Sequence, residues 1–241
     1  MEINVSWHSQ TGKRTTDNRD CGGLGIRADE TLCIVLDGST TAPDSSMLAH
    51  EIMRGMIDWY VASDEAITTE SLGARLKQIH STLSRQHLRA SASYMMVHIS
   101  SRNTLLVLHA GDCLLGRRDG TIEWLNQPHT LGNATGPVPV ATLAGLTTRH
   151  RLTRSFRARE FMPPDAMELN IEKELVIATD GFWAELSTQD QARFLEGQNV
   201  PIPTDGDDRS ALRIRLHDTA PDSRIRYDEK SADGFYAKKR S

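Results

Sequence analysis

The chain is poor in most of the features that declare a function at once. It has three cysteines, Cys21, Cys33 and Cys113, far apart and without a C-x-x-C pair. An odd, scattered count argues against a disulfide framework. The nine histidines show no H-E-x-x-H or similar zinc spacing, and no Walker phosphate loop occurs. Cys113-Leu-Leu-Gly-Arg117 lacks the length and glycine pattern of a cysteine phosphatase's phosphate cradle, so Cys113 is expected to be a buried structural thiol. No stretch approaches the ~18 apolar residues of a membrane span. The N-terminus, Met1 to His8, has neither the basic start nor the apolar run of a signal peptide. The formal net charge is −4 with the signs interspersed, which leaves no electrostatic footprint for nucleic acid. These absences point to a reducing, cytoplasmic setting with no membrane or nucleic-acid partner. The expectation is a monomer.

Hydrophobic residues make up 38%, below the ~45–50% usual when glycine is counted with them. The 17 glycines close most of that gap. A length of 241 residues suits one domain, because single cores stop growing near roughly 250–300 residues. Leu32-Cys-Ile-Val-Leu36 reads as a buried strand stopped at Asp37-Gly38. Leu48, Ile52, Met56 and Tyr60 then mark one amphipathic helix. Leu72, Leu76, Ile79 and Leu83 mark a second, starting after Ser71. Strand signals follow at Tyr94–Ile99 and Thr104–His109, with Ser-Ser-Arg-Asn between them. Cys113–Arg117 and Thr121–Leu125 flank Arg118-Asp-Gly120, a hairpin signal because Asp-Gly tolerates positive φ. Glu174–Thr179 is a further strand, Ser187 to Asp190 a capping-box start for a short helix, and Ala211–Leu216 an alternating strand with one wet face.

Consecutive hairpin-linked strands with two inserted helices predict an α+β protein of antiparallel sheets covered by helices, not a parallel βαβ fold. The four tryptophans are expected in the core. Gly132–Gly145, rich in small residues and proline, is expected to be a mobile loop. Residues 217–241 carry six Lys/Arg and five Asp/Glu and are expected to be disordered or ordered only by contacts elsewhere. The expected division is a catalytic domain over 1–216 and a polar tail over 217–241.

Four aspartates stand at strand ends beside turns: Asp20, Asp37, Asp180 and Asp207. Mg²⁺ and Mn²⁺ prefer oxygen ligands, usually a few carboxylates and waters. Four such groups converging could hold two ions, bridge a hydroxide and clamp a phosphoryl group for in-line attack. A lone Asp-Gly after a strand is more often only a turn, so the argument rests on the order of the whole set.

That order resembles the PPM family, the type 2C protein phosphatases. The family's successive elements are N-E-D, an apolar strand ending in D-G, two helices, a strand pair ending in G-D-S, S-D-G-[LF]-W, and D-N-x-[ST]. The corresponding stretches are Asn18-Arg-Asp20, Ile34-Val-Leu-Asp-Gly38, Leu108-His-Ala-Gly-Asp112-Cys, Leu175-Val-Ile-Ala-Thr-Asp-Gly-Phe-Trp183 and Asp207-Asp-Arg-Ser-Ala211. The resemblance spans about residues 10–216. It implies a central β-sandwich of two antiparallel sheets flanked by α-helices (four layers, αββα), and metal-dependent hydrolysis of phosphoserine and phosphothreonine in protein substrates. It implies Mg²⁺ or Mn²⁺, two ions with a possible third. Asp37 would bridge the metals and Gly38 would bind one through its carbonyl. Asp180 and Asp207 would hold the first ion, Asp20 would act near the second, and Asp112 would serve the third.

Four departures qualify it, one being an interval from Trp183 to Asp207 that is short for the family and is expected to lack a helix. The family's phosphate-binding arginine falls at Thr15, so Arg14, one residue earlier, is assigned that contact, with Arg19 as its rival. Asp37-Gly-Ser-Thr40 has no histidine after the D-G, so the proton donor is unidentified. Asp208 replaces the usual asparagine. The alternative reading is a weak or inactive relative that binds phosphoproteins or serves as a scaffold.

Overall fold

The computed structural model describes residues 2–101, 104–170, 172–217, 224–227 and 234–240. Two sheets lie face to face. The chain order is β1 (Glu2–Gln10), β2 (Asp20–Ile26), β3 (Thr31–Gly38), α1 (Ser45–Ala62), α2 (Thr69–Leu83), β4 (Ser91–Ile99), β5 (Thr104–Ala110), β6 (Leu114–Asp119) and β7 (Thr121–Trp124). There follow α3 (Val140–Ala144), β8 (Phe156–Arg157), β9 (Asp165–Asn170), β10 (Glu174–Ala178), α4 (Asp180–Trp183), α5 (Thr188–Leu195), β11 (Arg209–His217), β12 (Arg224–Tyr227) and β13 (Phe235–Lys239). One sheet runs β12-β1-β11-β10-β6-β7; the other runs β13-β2-β3-β4-β5-β9, with β8 also on β4.

Three apolar clusters account for four layers. Strands buried on both faces read as continuous apolar runs, and β3 shows how one run serves two interfaces. Leu32, Ile34 and Leu36 point to α1 and α2, while Cys33 and Val35 point between the sheets. β10 does the same on the other side. Leu175 and Ile177 face the sandwich interior. Val176 and Ala178 face Phe182, Trp183, Phe194 and Leu195 of α4 and α5. The fold is α+β, with layers helix, sheet, sheet, helix, and neither sheet closes.

Several details differ from the sequence reading. The sheets are mixed: β12 pairs parallel with β1 and β13 parallel with β2, whereas the long ladders are antiparallel. Both parallel strands come from the polar stretch after residue 216, which reaches the free edges of both sheets; much of the rest of that stretch, like residues 102 and 103 of the expected 100–103 turn, lies outside the described residues. The second helix begins before Ser71. Thr68 caps it, accepting from the Ser71 N–H at 3.1 Å, while the Ser71 hydroxyl accepts from the Thr68 N–H at 2.9 Å. Ser187 caps α5 as expected. β11 has no wet face at Arg213. That side chain is 5% exposed because α5 covers it, and it donates to Glu174 at 2.7 Å, to Glu196 at 2.8 Å and to the Leu195 carbonyl at 3.1 Å. A guanidinium can be buried where each donor meets an acceptor and carboxylates balance its charge.

The segment between β7 and β8 is fastened at its base, where the Leu131 N–H donates to Arg151 at 2.8 Å and the Thr153 N–H to His129 at 2.9 Å. Gly132–Gly145 contains part of a 3₁₀ turn and α3, whose Leu143 is fully buried.

Candidate active site

Antiparallel pairing carries the aspartates to one end of the sandwich. In such a ladder the start of one strand lies beside the end of its neighbour. Asp20, opening β2, is therefore opposite Asp37, near the end of β3, and Asp37 is opposite Ser93 on β4. Asp180 follows β10 while Asp207 precedes its partner β11. Asp112 lies just after β5. Asp37, Asp112, Asp180, Asp207 and Arg14 line one cleft of ≈ 320 Å³, together with Ser39, Thr40, Ser93, His150 and Leu152. Asp20 is buried beneath it.

Hydroxyl groups hold two of the carboxylates. Ser93 donates to Asp112 at 2.6 Å and accepts from the Asp112 N–H at 3.2 Å. Thr179 donates to Asp20 at 2.9 Å. Trp183, expected in the core, also donates its indole N–H to the Asp112 carbonyl at 2.8 Å. Two glycines are required by space. A Cβ on Gly38 would lie 2.7 Å from the Ser45 carbonyl oxygen. Gly111 has φ +102°, and a Cβ there would lie 2.2 Å from Ser93 Oγ.

The electrostatics are those of a site short of positive charge. Burial, and then the neighbouring aspartates, push the Asp37 carboxyl well above the carboxylate range. Burial and Asp208 do the same to Asp20. Asp112 and Asp207 are pushed up to about 7, each by burial and then by Asp180. A set of buried carboxylates that repel one another binds cations favourably, and an all-oxygen donor set suits Mg²⁺ or Mn²⁺.

Two arginines supply part of the missing charge. Arg14 pairs with Asp207 and donates to the Asp205 carbonyl at 2.7 Å and to Glu185 at 3.3 Å. Arg149, 6% exposed, reaches Asp180 at 2.5 Å. Arg19 is differently employed: it donates to the Ser39 and Ala42 carbonyls at 2.7 and 2.8 Å, bracing the loop after β3. Asp208 accepts from the backbone N–H groups of Gly12 and Arg19 at 2.7 and 2.8 Å, so it clamps the N-terminal loop against the start of β11.

Sequence reasoning missed Arg149, His150, Glu185 and Ser93. Glu185 gathers Arg14, Arg209 and the Asp207 N–H, yet nothing in its local pattern marks it. His150 follows the Gly132–Gly145 segment, and it is His150 and Leu152, not residues of that segment, that line the cleft.

Among the described residues, the group whose ligand atoms lie within 4.8 Å of one another is His109, His129 and Asp165, outside this cleft. His129 Nδ1 accepts from the Gly111 N–H at 3.1 Å, which places the imidazole proton on Nε2, 2.9 Å from Asp165. An ion there would displace that proton, and Arg154 also pairs with Asp165. The cleft carboxylates stand farther apart than one ion could gather without movement.

No family model and no curated protein matches the sequence. Solved structures do match the fold. Serine/threonine phosphatase Stp1 from Staphylococcus aureus superposes at TM-score 0.73 and 15% identity, over 90% of this chain and 98% of that one. The Mycobacterium tuberculosis serine/threonine phosphatase PstP/Ppp gives 0.69 and 14%, over 89% and 98%. The PPM Ser-Thr phosphatase MsPP from Mycobacterium smegmatis gives 0.64 and 18%, over 88% and 98%. Across nearly its whole length, the chain has the fold of the bacterial PPM serine/threonine phosphatases.

Proposed function

We propose that the protein hydrolyses phosphoserine and phosphothreonine in protein substrates with the help of Mg²⁺ or Mn²⁺. The observation that carries this reading is the convergence of Asp37, Asp112, Asp180 and Asp207 at one cleft, with buried Asp20 paired to Asp37 across the β2–β3 ladder, where burial and mutual repulsion favour cations. Asp37, Asp180, Asp207 and Asp112, with the Gly38 carbonyl and Asp20 behind them, are the groups that would hold two ions and a third. Such ions, when bound, supply the charge that activates water and neutralises phosphoryl oxygens. The planar fork of Arg14, 28% exposed at the mouth of the cleft, binds the substrate phosphate through two parallel N–H donors. His150, on the cleft wall, gives a proton to the departing serine or threonine oxygen and takes the place of the histidine missing after Asp37-Gly38.

The test is hydrolysis of p-nitrophenyl phosphate by protein dialysed against EDTA, before and after Mn²⁺ is restored. Turnover that appears only with the metal supports the reading; equal turnover in excess chelator contradicts it. No turnover under either condition supports the alternative of a phosphoprotein-binding relative.

A further inference from the structure

A second, smaller cavity of ≈ 180 Å³ lies beside the aspartate cleft, and Ser91 lines both. The two meet at Ser91, the first residue of β4. Ser93, at the cleft, holds Asp112; Ser91 is two residues back, and Ala90 lies at the smaller cavity. The wall there is Arg89, Arg157 and Arg159, with Leu88 on its rim, 64% exposed. Ser91 is the ladder partner of Arg157, so β8 fixes this wall against the same strand that floors the cleft.

No carboxylate of the described residues pairs with the charges of this wall. Arg157 donates to Ser155 Oγ at 3.1 Å and to the Leu152 carbonyl at 2.7 Å, both neutral acceptors. Among the described residues, none of the three guanidinium groups forms an ion pair; Glu160 donates its backbone N–H to the Arg157 carbonyl at 3.2 Å, and its carboxylate bonds to none of the three guanidinium groups. The chain as a whole carries net charge −4, so this is a local excess of positive charge at the margin of a site for phosphate.

We infer that this groove receives an acidic or phosphorylated side chain flanking the scissile phosphoserine or phosphothreonine, which makes acidic phosphopeptides the preferred substrate class. The inference deepens the phosphatase reading and rests on it. From Ser93 back to Ala90, the residue just before β4, an extended chain covers ~10 Å at ~3.3 Å per residue. An extended peptide covers ~3.3–3.6 Å per residue, so the recognised acid stands roughly two to four positions from the phosphorylated residue. Guanidinium forks suit both carboxylate and phosphate. Arg157, already held by its neutral partners, loses little freedom on binding.

The experiment compares phosphoserine peptides carrying Glu at the second to fourth positions on either side with the same peptides carrying Gln. Dissociation constants are read by fluorescence anisotropy, and turnover of p-nitrophenyl phosphate is measured in parallel. The Glu peptides on one side should bind roughly three- to tenfold more tightly, as a few exposed ion pairs allow, and the advantage should fade as salt is raised. The double variant Arg89→Glu, Arg159→Glu should lose or reverse that preference while hydrolysing p-nitrophenyl phosphate normally, since neither side chain lines the aspartate cleft. Equal binding of Glu and Gln peptides to the unaltered protein would overturn the inference, as would a preference that survives the double variant. Selective binding without any hydrolysis would uphold the groove and refute the phosphatase reading. Hydrolysis without selectivity would do the reverse.

Discussion

Arg14, Arg149 and His150 stand in or beside the cleft, and each is placed by a different kind of constraint. Arg14 rests on Asp207 and Glu185 at the mouth, where a substrate phosphate or a cation would compete for its partners. Arg149 is buried against Asp180, with its guanidinium carbon 6.0 Å from the centre of the Trp183 ring, so the aspartate has a counter-charge already built into the fold. His150 is pushed below the usual imidazole range, first by burial and then by Arg149. If it donates the proton, its contribution must fade as pH rises through that lowered pKa, and it must matter only where the departing oxygen needs protonation. His150→Gln at pH 6 should therefore lower kcat on a phosphoserine peptide by ~10²-fold, the low end for acid catalysis. On p-nitrophenyl phosphate, whose leaving group departs as a stable anion, kcat should stay within about twofold. An equal effect on both substrates, or on neither, would remove His150 from the mechanism.

At the scale of elements, the sequence showed most where one residue pattern had one structural meaning. The apolar runs of β3 and β10 announced strands buried on both faces, the stripes of α1 and α2 announced helices, and the strand-end aspartates announced the cleft. β1 carries a legible alternation, Glu2-Ile-Asn-Val-Ser-Trp7, of the kind a half-buried strand shows, and the sequence reading passed over it. β2 was missed because Gly22, Gly23 and Gly25 dilute its apolar signal; there the glycines make room for Trp7, Met53 and Tyr60. The alternation of β11 was read correctly as a strand but wrongly as wet, because a pattern of apolar and charged residues cannot show that α5 will cover Arg213 and present Glu196 to it. Arg149, Glu185 and Ser93 were illegible for a similar reason: their roles exist only through partners distant in sequence.

For the whole molecule, the cleft is a local liability that the proposed metal ions would relieve. Asp112 and Asp207 have folded-state pKa values of about 7, above the ordinary carboxylate value near ~3.9. Groups raised on folding contribute stability below their unfolded pKa and lose it as pH rises through the folded one. Metal-free protein should therefore lose stability between roughly pH 4 and 7, and Asp20 and Asp37 act in the same direction. Ligands must ionise to bind a cation, so the gain in Tm from Mn²⁺ should be larger at pH 8 than at pH 5.5. Ligand at ~100 times its Kd stabilises by ~2.7 kcal/mol, or roughly 5–10 °C for a chain of this size. Thermal melts in EDTA and in Mn²⁺ at both pH values check this; a gain independent of pH would contradict it.

The central claim is that the converged aspartates carry out phosphomonoester hydrolysis, and Asp37 is its most exacting residue because it lines the cleft between two ladder partners, Asp20 on β2 and Ser93 on β4. The measurement is kcat of Asp37→Asn on a phosphoserine peptide in saturating Mn²⁺, against the unaltered protein, with circular dichroism to establish that both are folded. The account predicts a fall of at least ~10²-fold, a barrier higher by ~2.7 kcal/mol, with the fold retained. A folded Asp37→Asn protein that turns over at the rate of the unaltered one would contradict it.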